Sequence, residues 1–150
     1  MITIRKAVED NLDALIALDT YAHDHAERAQ DIRNWIALGQ CHAALLDGEM
    51  AGYSVLNHSF FHQAFIEMLM IGMAFRRCGL GRALIDHACV AFPGEKVWTS
   101  TGQSNAAMQA LLLSAGFQRS GMIEYLDPET PELIFVHLPE TASAAARESV

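Results

Sequence analysis

Cysteine and proline are scarce in this chain of 150 residues, which has three cysteines and four prolines. Cys41, Cys78 and Cys89 are odd in number and form no C-x-x-C pair, which excludes a disulfide framework and a cysteine-based zinc site. We therefore expect reduced thiols and a cytoplasmic location. No apolar run reaches the roughly 18 residues that span a bilayer, and residues 1–11 carry charges where a signal peptide is apolar. The sequence predicts neither export nor membrane insertion.

Positive charge is also scarce. Ten Lys and Arg stand against eighteen Asp and Glu, which gives a net charge of −8. Such a surface repels a phosphate backbone, so we expect no nucleic-acid partner. The same field raises the local concentration of a small cationic substrate.

Hydrophobic residues, by contrast, make up 51% of the chain, and its length suits one domain. Periodicity and turn signals predict the element order β-α-α-β-β-β-α-β-α-β-β. The nearly apolar run Phe65 to Met73, interrupted by Glu67, predicts a central strand covered on both faces. We expect an α/β domain over residues 1–139, built on a single mixed, mostly antiparallel sheet flanked by helices on both faces. Residues 140–150 form a short Ala-rich tail without an assigned function.

A His-x-His-x-Glu spacing occurs between the first two predicted helices, at His23, His25 and Glu27. These side chains could bind a divalent metal. A solvated connection between the helices is the favoured interpretation, because no further group of ligands accompanies them. We predict no metal site.

The most informative segment runs from the predicted central strand through two glycines into a helix. Glycines allow close approach of the backbone, and a helix N-terminus presents unpaired N–H groups and partial positive charge. Three arginines add charge, so the segment predicts an anion site for which a pyrophosphate is the natural ligand. It lacks the Gly-Lys-Ser/Thr of a P-loop and the first glycine of the dinucleotide fingerprint. Its residues are Arg76, Arg77, Cys78, Gly79, Leu80, Gly81 and Arg82.

From Ile2 to about Leu138 the chain resembles the GNAT superfamily of N-acetyltransferases. The family signature Arg/Gln-x-x-Gly-x-Gly/Ala is matched by Arg76, Gly79 and Gly81. A later family pattern, Asn-x-x-Ala-x-x-Leu-Tyr-x-x-x-Gly-Phe, corresponds to residues 105–117. The segment 120–132 resembles a bacterial branch of these enzymes, which indicates the cofactor and leaves the acceptor open.

The resemblance implies acetyl-CoA as cofactor. Residues 76–82 would bind its pyrophosphate, and Asn105 would contact the cofactor arm. The main chain of the preceding strand would pair with the pantetheine arm, and a backbone N–H within residues 69–71 would stabilise the oxyanion. The implied strand residues are Leu69, Met70, Ile71 and Met73.

Two family residues are missing from the second pattern, and the lesser departure is Met108 in place of the alanine. The tyrosine that often protonates the departing thiolate is replaced by Leu112, which leaves that role vacant or filled elsewhere. Thiols have pKa values near 8.5, so an unprotonated leaving group is tolerable close to neutral pH.

Glu67 is the first candidate for the general base that takes the proton of the acceptor amine. It is the single ionisable residue of an apolar strand, where burial would make the carboxylate a stronger base. The alternative is that Glu67 lies at the wet end of the strand or pairs with an arginine. Tyr125 is the second catalytic candidate, followed by His58 and His62.

We therefore predict an acetyl-CoA-dependent enzyme that acetylates a primary amine without a metal. By resemblance, residues 21–27 and 124–129 would frame the acceptor pocket, and their acidic side chains suit a small cationic amine, although a protein amine also fits. The competing class is a non-catalytic module that binds or senses CoA or acyl-CoA. The oligomeric state is open, with a homodimer among the alternatives.

Overall fold

The computed structural model describes residues 1–139, which contain seven strands and four α-helices. The predicted element order is confirmed, and the predicted tail at 140–150 lies outside the described residues. The strands are β1 (Ile2–Lys6), β2 (Cys41–Leu46), β3 (Glu49–Phe60), β4 (Gln63–Ile71), β5 (Val97–Gly102), β6 (Gln118–Ile123) and β7 (Glu132–His137). The helices are α1 (Leu12–Leu18), α2 (Glu27–Ala37), α3 (Leu80–Ala91) and α4 (Ala106–Ser114).

The strands form one sheet in the order β1-β2-β3-β4-β5-β7-β6. The β1–β2, β2–β3, β5–β7 and β6–β7 pairs are antiparallel, whereas β4 and β5 are parallel, with Ala64 opposite Val97 and Phe65 opposite Trp98. The expectation of a single mixed, mostly antiparallel sheet is therefore confirmed.

By its internal contacts the chain divides into two compact units. The first comprises Met1–Leu56 and Met68–Leu84, and the second comprises Asn57–Glu67 and the chain from Ile85 onward. The boundaries between the two units fall within β3 and β4, so each of these strands contributes residues to both units.

The first unit has a hydrophobic cluster on each face of its strands. Ala43 and Ala44 are consecutive on β2 and belong to different clusters, and consecutive strand residues point to opposite faces. On one face, Leu15 and Ile32 bring α1 and α2 against β2 and β3. On the other face, Leu80 brings the start of α3 against the sheet.

The second unit is built on β5, β7 and β6 with α4 and most of α3. Its buried side chains alternate along β5, where Val97, Thr99 and Thr101 are buried. The side-chain hydroxyl of Thr99 donates a hydrogen bond of 3.0 Å to the carbonyl of Ile66 on β4.

A two-residue turn at Phe61 and His62 joins β3 to β4. Both residues have positive φ values, 51° and 62°, which is the backbone pattern of the tight turns that favour Asn-Gly. Phe61 is 82% exposed. This turn sets which residues of β3 and β4 face each other.

The expectation for the central strand is partly wrong. β4 ends at Ile71 and a 3₁₀ turn occupies Met73–Phe75, so Met73 lies outside the strand and is exposed. Along β4, Ala64 and Ile66 are buried, whereas Gln63 and Glu67 are exposed. The strand is therefore covered on both faces over residues 68–71 and exposed at Gln63 and Glu67.

Candidate active site

Residues 76–82, the arginine loop, connect the 3₁₀ turn Met73–Phe75 to α3. Two of its residues have left-handed backbone conformations, Arg77 with φ 65° and Gly79 with φ 83°. A non-glycine residue in this region is uncommon and carries strain, which clusters at functional sites. Leu80 is fully buried and fixes the beginning of α3 against the sheet of the first unit.

The beginning of α3 presents backbone N–H groups at the arginine loop. The N–H of Ala83 donates to the carbonyl of Gly79 at 3.1 Å as an i to i−4 bond. The N–H groups of Leu80, Gly81 and Arg82 precede that bond and have no acceptor within the helix. The side chains of Arg76, Arg77 and Arg82 are exposed. The residues present thus fit a pyrophosphate, which remains the predicted ligand of this loop.

The second half of β4 lies next to this loop in the first unit. Met68 and Met70 pack on the cluster that includes α1 and α2, whereas Leu69 and Ile71 pack on the opposite cluster. All four residues are half-buried. The main chain of Leu69 to Ile71 remains the predicted partner of the pantetheine arm, without Met73, which is not on the strand.

Glu67 differs from the expectation. Its side chain is exposed, so the expected burial that made Glu67 the first candidate for the general base is wrong. Its Oε1 accepts a hydrogen bond of 2.8 Å from Nδ2 of Asn57, and the Ser59 hydroxyl lies 3.5 Å from the same oxygen. The residues beside Glu67 are therefore an amide and a hydroxyl rather than an arginine, and the sequence analysis identified neither.

Asn105 and Leu112 lie on or before α4 in the second unit. Asn105 is the N-cap of α4, and its Oδ1 accepts from the N–H of Met108 at 3.1 Å. This cap accounts for an asparagine here independently of the cofactor. Leu112 is fully buried, in the core rather than at a surface.

Tyr125 follows β6, which ends at Ile123, and its side chain is 93% exposed. It lines a pocket of about 220 Å³ together with three carboxylates. The lining residues are Glu124, Tyr125, Asp127, Pro128, Glu129, Thr130 and Pro131.

The two histidine candidates have different surroundings. Nε2 of His58 lies 2.8 Å from Oε1 of Glu95, and its ring packs edge-on against Phe92. His62 is part of the strained turn between β3 and β4. The contacts of His58 are those of a surface side chain that links β3 to the segment after α3.

The connection between α1 and α2 is exposed at His23, His25 and Glu27, as the favoured interpretation predicts. Nε2 of His23 contacts the carbonyl of Ala17, and the His25 ring stacks on Tyr21 at a centroid distance of 3.7 Å. Among residues 1–139 no group of three or more metal-ligating side chains is arranged to hold an ion.

A buried ion pair that the sequence analysis missed anchors this connection. Asp19 is fully buried, and its Oδ2 lies 3.0 Å from Nη1 of Arg28, itself 8% exposed. The Arg28 guanidinium lies 4.2 Å from the Tyr21 ring centroid. The His25 ring and the Arg28 guanidinium are both too close to the Tyr21 ring to lie on the same face of it. Tyr21 is therefore packed between them. No local pattern signals such a pair, since its members come from separate elements.

Similarity to known proteins extends over most of the chain. The acetyltransferase (GNAT) family matches residues 9–117. A GNAT-family acetyltransferase from Bacillus cereus is 30% identical, with 92% of this chain and 97% of that chain covered and a TM-score of 0.86. None of the functionally curated proteins compared with the chain matches it significantly.

Two more distant structures share the fold. The ribosomal-protein-S18-alanine N-acetyltransferase of Escherichia coli is 22% identical, covers 91% of this chain and 93% of its own, and has a TM-score of 0.76. A Bacillus anthracis acetyltransferase solved in complex with acetyl coenzyme A is 17% identical, covers 93% and 99%, and has a TM-score of 0.73.

In the described part of the chain, each helix is too short or too polar to cross a bilayer. The arginine loop has the composition and backbone geometry of an anion site at a helix N-terminus, and it lies within the matched residues. The chain belongs to the GNAT family of acetyltransferases, whose cofactor is acetyl-CoA.

Proposed function

We propose that this chain, acting as one catalytic domain over residues 1–139, transfers the acetyl group of acetyl-CoA to a primary amine. The observation that carries the proposal is the arginine loop, where exposed arginines and the first N–H groups of α3 converge on one backbone segment. The free cysteines, of which Cys41 is buried, suit a reducing compartment, so we place the enzyme in the cytoplasm.

Acetyl-CoA supplies the activated acetyl thioester. The backbone of residues 76–82 holds its pyrophosphate, and Asn105 contacts the cofactor arm through the amide nitrogen that its capping role leaves available. The main chain of Leu69 to Ile71 orients the pantetheine arm, and one N–H of this segment donates to the acetyl oxygen as negative charge develops there.

Glu67 accepts the proton that the attacking amine loses, directly or through one water. An alkylammonium has a pKa near 10.4, so only a small fraction of the acceptor is nucleophilic at neutral pH, and a positioned base assists it. Exposure suits this role, because the carboxylate has to meet an incoming acceptor. Tyr125 is the second candidate for proton transfer.

The acceptor is a cationic amine. The segments predicted to bind it carry four carboxylates. Glu27 is exposed at the start of α2. The other three line the pocket beside Tyr125 and are Glu124, Asp127 and Glu129. The net charge of −8 acts in the same direction.

The activity is tested by thiol release from acetyl-CoA with spermidine, lysine methyl ester and a peptide with a free N-terminal alanine. Turnover with any acceptor supports the proposal. Saturable acetyl-CoA binding without turnover across the panel, with product absent by mass spectrometry, would instead favour a CoA-sensing module.

The cofactor site is tested by calorimetry on Gly81→Glu, which adds volume and a like charge where the pyrophosphate binds. We expect loss of acetyl-CoA binding. Gly121→Glu is the matched control, because an added Cβ at Gly121 meets no atom within 4 Å. Unchanged affinity in folded Gly81→Glu would contradict the site.

The base is tested by Glu67→Gln, which keeps the shape and removes the basic oxygen. General-base loss lowers kcat/KM by about 10²- to 10⁴-fold, while acetyl-CoA affinity stays unchanged. Near-full activity with an unaltered pH profile would remove Glu67 from the mechanism and make Tyr125 the next candidate.

A further inference from the structure

The Glu67 carboxylate is held from the neighbouring strand. Nδ2 of Asn57, on β3, donates 2.8 Å to Oε1 of Glu67, on β4. Among residues 1–139, no hydrogen bond engages the second carboxylate oxygen, Oε2. One oxygen of Glu67 is therefore fixed, while the other keeps its capacity to accept a proton.

Asn57 is itself oriented by Ser59. The backbone N–H of Ser59 lies 3.1 Å from Oδ1 of Asn57, and the Ser59 hydroxyl lies 2.6 Å from the same atom. Because a backbone N–H only donates, the Asn57 atom that it meets is the amide oxygen. The amide nitrogen must then point towards Glu67, so the direction of the hydrogen bond is determined.

The Ser59 hydroxyl has one proton and two acceptors within reach. It is 2.6 Å from Oδ1 of Asn57 and 3.5 Å from Oε1 of Glu67, so the proton belongs to the shorter contact. Ser59 thus acts on Asn57, and Asn57 is the group that acts on Glu67.

We propose that Asn57 is a positioning residue for Glu67, with Ser59 as its support, an inference that rests on the function proposed above. The donated hydrogen bond fixes the rotamer of the Glu67 carboxylate. The same bond leaves Oε2 available to accept the proton of the amine. Asn57 touches neither acceptor nor acetyl-CoA in this role.

The sharpest test is Asn57→Asp, which keeps the side-chain shape and the acceptor contacts to Ser59 but replaces the donor to Glu67 with a second carboxylate. We expect kcat/KM to fall by up to about a hundredfold, as for other small misplacements of a reacting group. The acidic limb of its pH profile should move to higher pH, and acetyl-CoA affinity should not change. Asn11→Asp is the matched control, because Oδ1 of Asn11 also accepts a backbone N–H, from Val8, far from Glu67 in the sequence.

A double-mutant cycle with Glu67→Gln separates positioning from a general loss of structure, and it uses an acceptor turned over in the amine panel. If Asn57 acts through Glu67, the double variant is no slower than Glu67→Gln alone. Multiplicative losses, or an Asn57→Asp variant as active as Asn11→Asp, would overturn the inference and leave the proposed function intact.

Should Asn57→Asp fold poorly, Ser59→Ala provides the second variant. It keeps the Asn57 donor but removes the hydroxyl that orients it, so we expect a smaller loss in the same direction, absent in the Glu67→Gln background. If Glu67→Gln itself retains activity while the panel shows turnover, the positioning role falls together with the base, although acetyl transfer stands.

Discussion

The Tyr53 hydroxyl donates a hydrogen bond of 2.6 Å to Oδ2 of Asp19, and both side chains are fully buried. Arg28 donates to the same oxygen, and the N–H groups of Tyr21 and Ala22 donate 2.9 and 3.2 Å to Oδ1. Burial raises the pKa of the Tyr53 phenol, and the Asp19 hydrogen bond and charge raise it further. The hydroxyl is therefore a fixed donor at any working pH.

The first prediction ranks two substitutions in this cluster by their cost in stability. Tyr53→Phe removes one donor from a charged acceptor that keeps its other partners, so we expect a loss of about 1.5–3 kcal/mol. Asp19→Ala leaves the buried Arg28 charge with only the exposed Asp31 carboxylate, 3.8 Å from its Nε, and we expect a loss of about 3–5 kcal/mol. Urea denaturation measures both, and a larger loss for Tyr53→Phe would contradict this account of the cluster.

The second prediction concerns acid sensitivity. Burial lowers the pKa of His87 below its ordinary value of 6.5, so the unfolded chain binds this proton at a pH where the folded chain does not. The contribution of neutral His87 to the free energy of unfolding is therefore present above pH 6.5. It is lost as the pH falls below 6.5, by at most about 1.4 kcal/mol per pH unit.

His87→Gln should therefore flatten the decline in the free energy of unfolding between pH 7 and pH 5. Denaturant titrations of both proteins at several pH values measure the effect. The other six histidines are common to the two proteins, so parallel curves would show that His87 does not contribute.

The third prediction uses the thiols to report on the arginine loop. Burial raises the pKa of Cys41 to about 12, and burial followed by the charge of Asp86 raises that of Cys89 to about 11. Cys78 is exposed within the loop. Because the thiolate is the reactive form, we expect a disulfide reagent near neutral pH to label Cys78 first.

Acetyl-CoA should slow that labelling, because its pyrophosphate occupies the loop. Cys78→Ser should remove the fast phase, and Gly81→Glu should keep the fast phase but lose the protection. Equal protection in Gly81→Glu would mean that the cofactor does not act at this loop.

The fourth prediction concerns the missing tyrosine. Leu112 is buried in the core of the second unit, so no acid from this position reaches the leaving thiolate. Leu112→Met conserves volume and should cost less than about 1.5 kcal/mol of stability, with kcat nearly unchanged per folded molecule. A hundredfold loss of kcat, about 2.7 kcal/mol of barrier, would contradict the prediction that residue 112 takes no part in protonating the leaving thiolate.

Local chemistry explains the parts of the fold that the sequence predicts well. Asp47-Gly48, between β2 and β3, forms a turn in which both residues have positive φ, 50° and 83°. Asn105 caps α4 by accepting from an N–H three residues away. The arginine loop is visible because its glycines and arginines are adjacent in sequence. Each of these signals depends on residues that are only a few positions apart in the sequence.

The errors have a common cause in contacts between distant segments. The exposure of Glu67 depends on what packs over β4, which the composition of the strand does not state. Asp19 and Tyr53 are 34 residues apart, and Asn57 and Glu67 are ten apart on facing strands. Such pairs become visible only when the register of the sheet is known.

The turn at Phe61 and His62 makes that register sensitive to length. Side chains alternate between the faces of a strand, so one residue inserted into this turn, with β4 shifting past β3, would carry Glu67 to the other face and away from Asn57. Substitution by Asn-Gly would keep the length and relieve the positive-φ strain. Substitutions at this turn by residues that accept positive φ are therefore compatible with the Asn57–Glu67 pair, whereas a change of length that shifts the register is not.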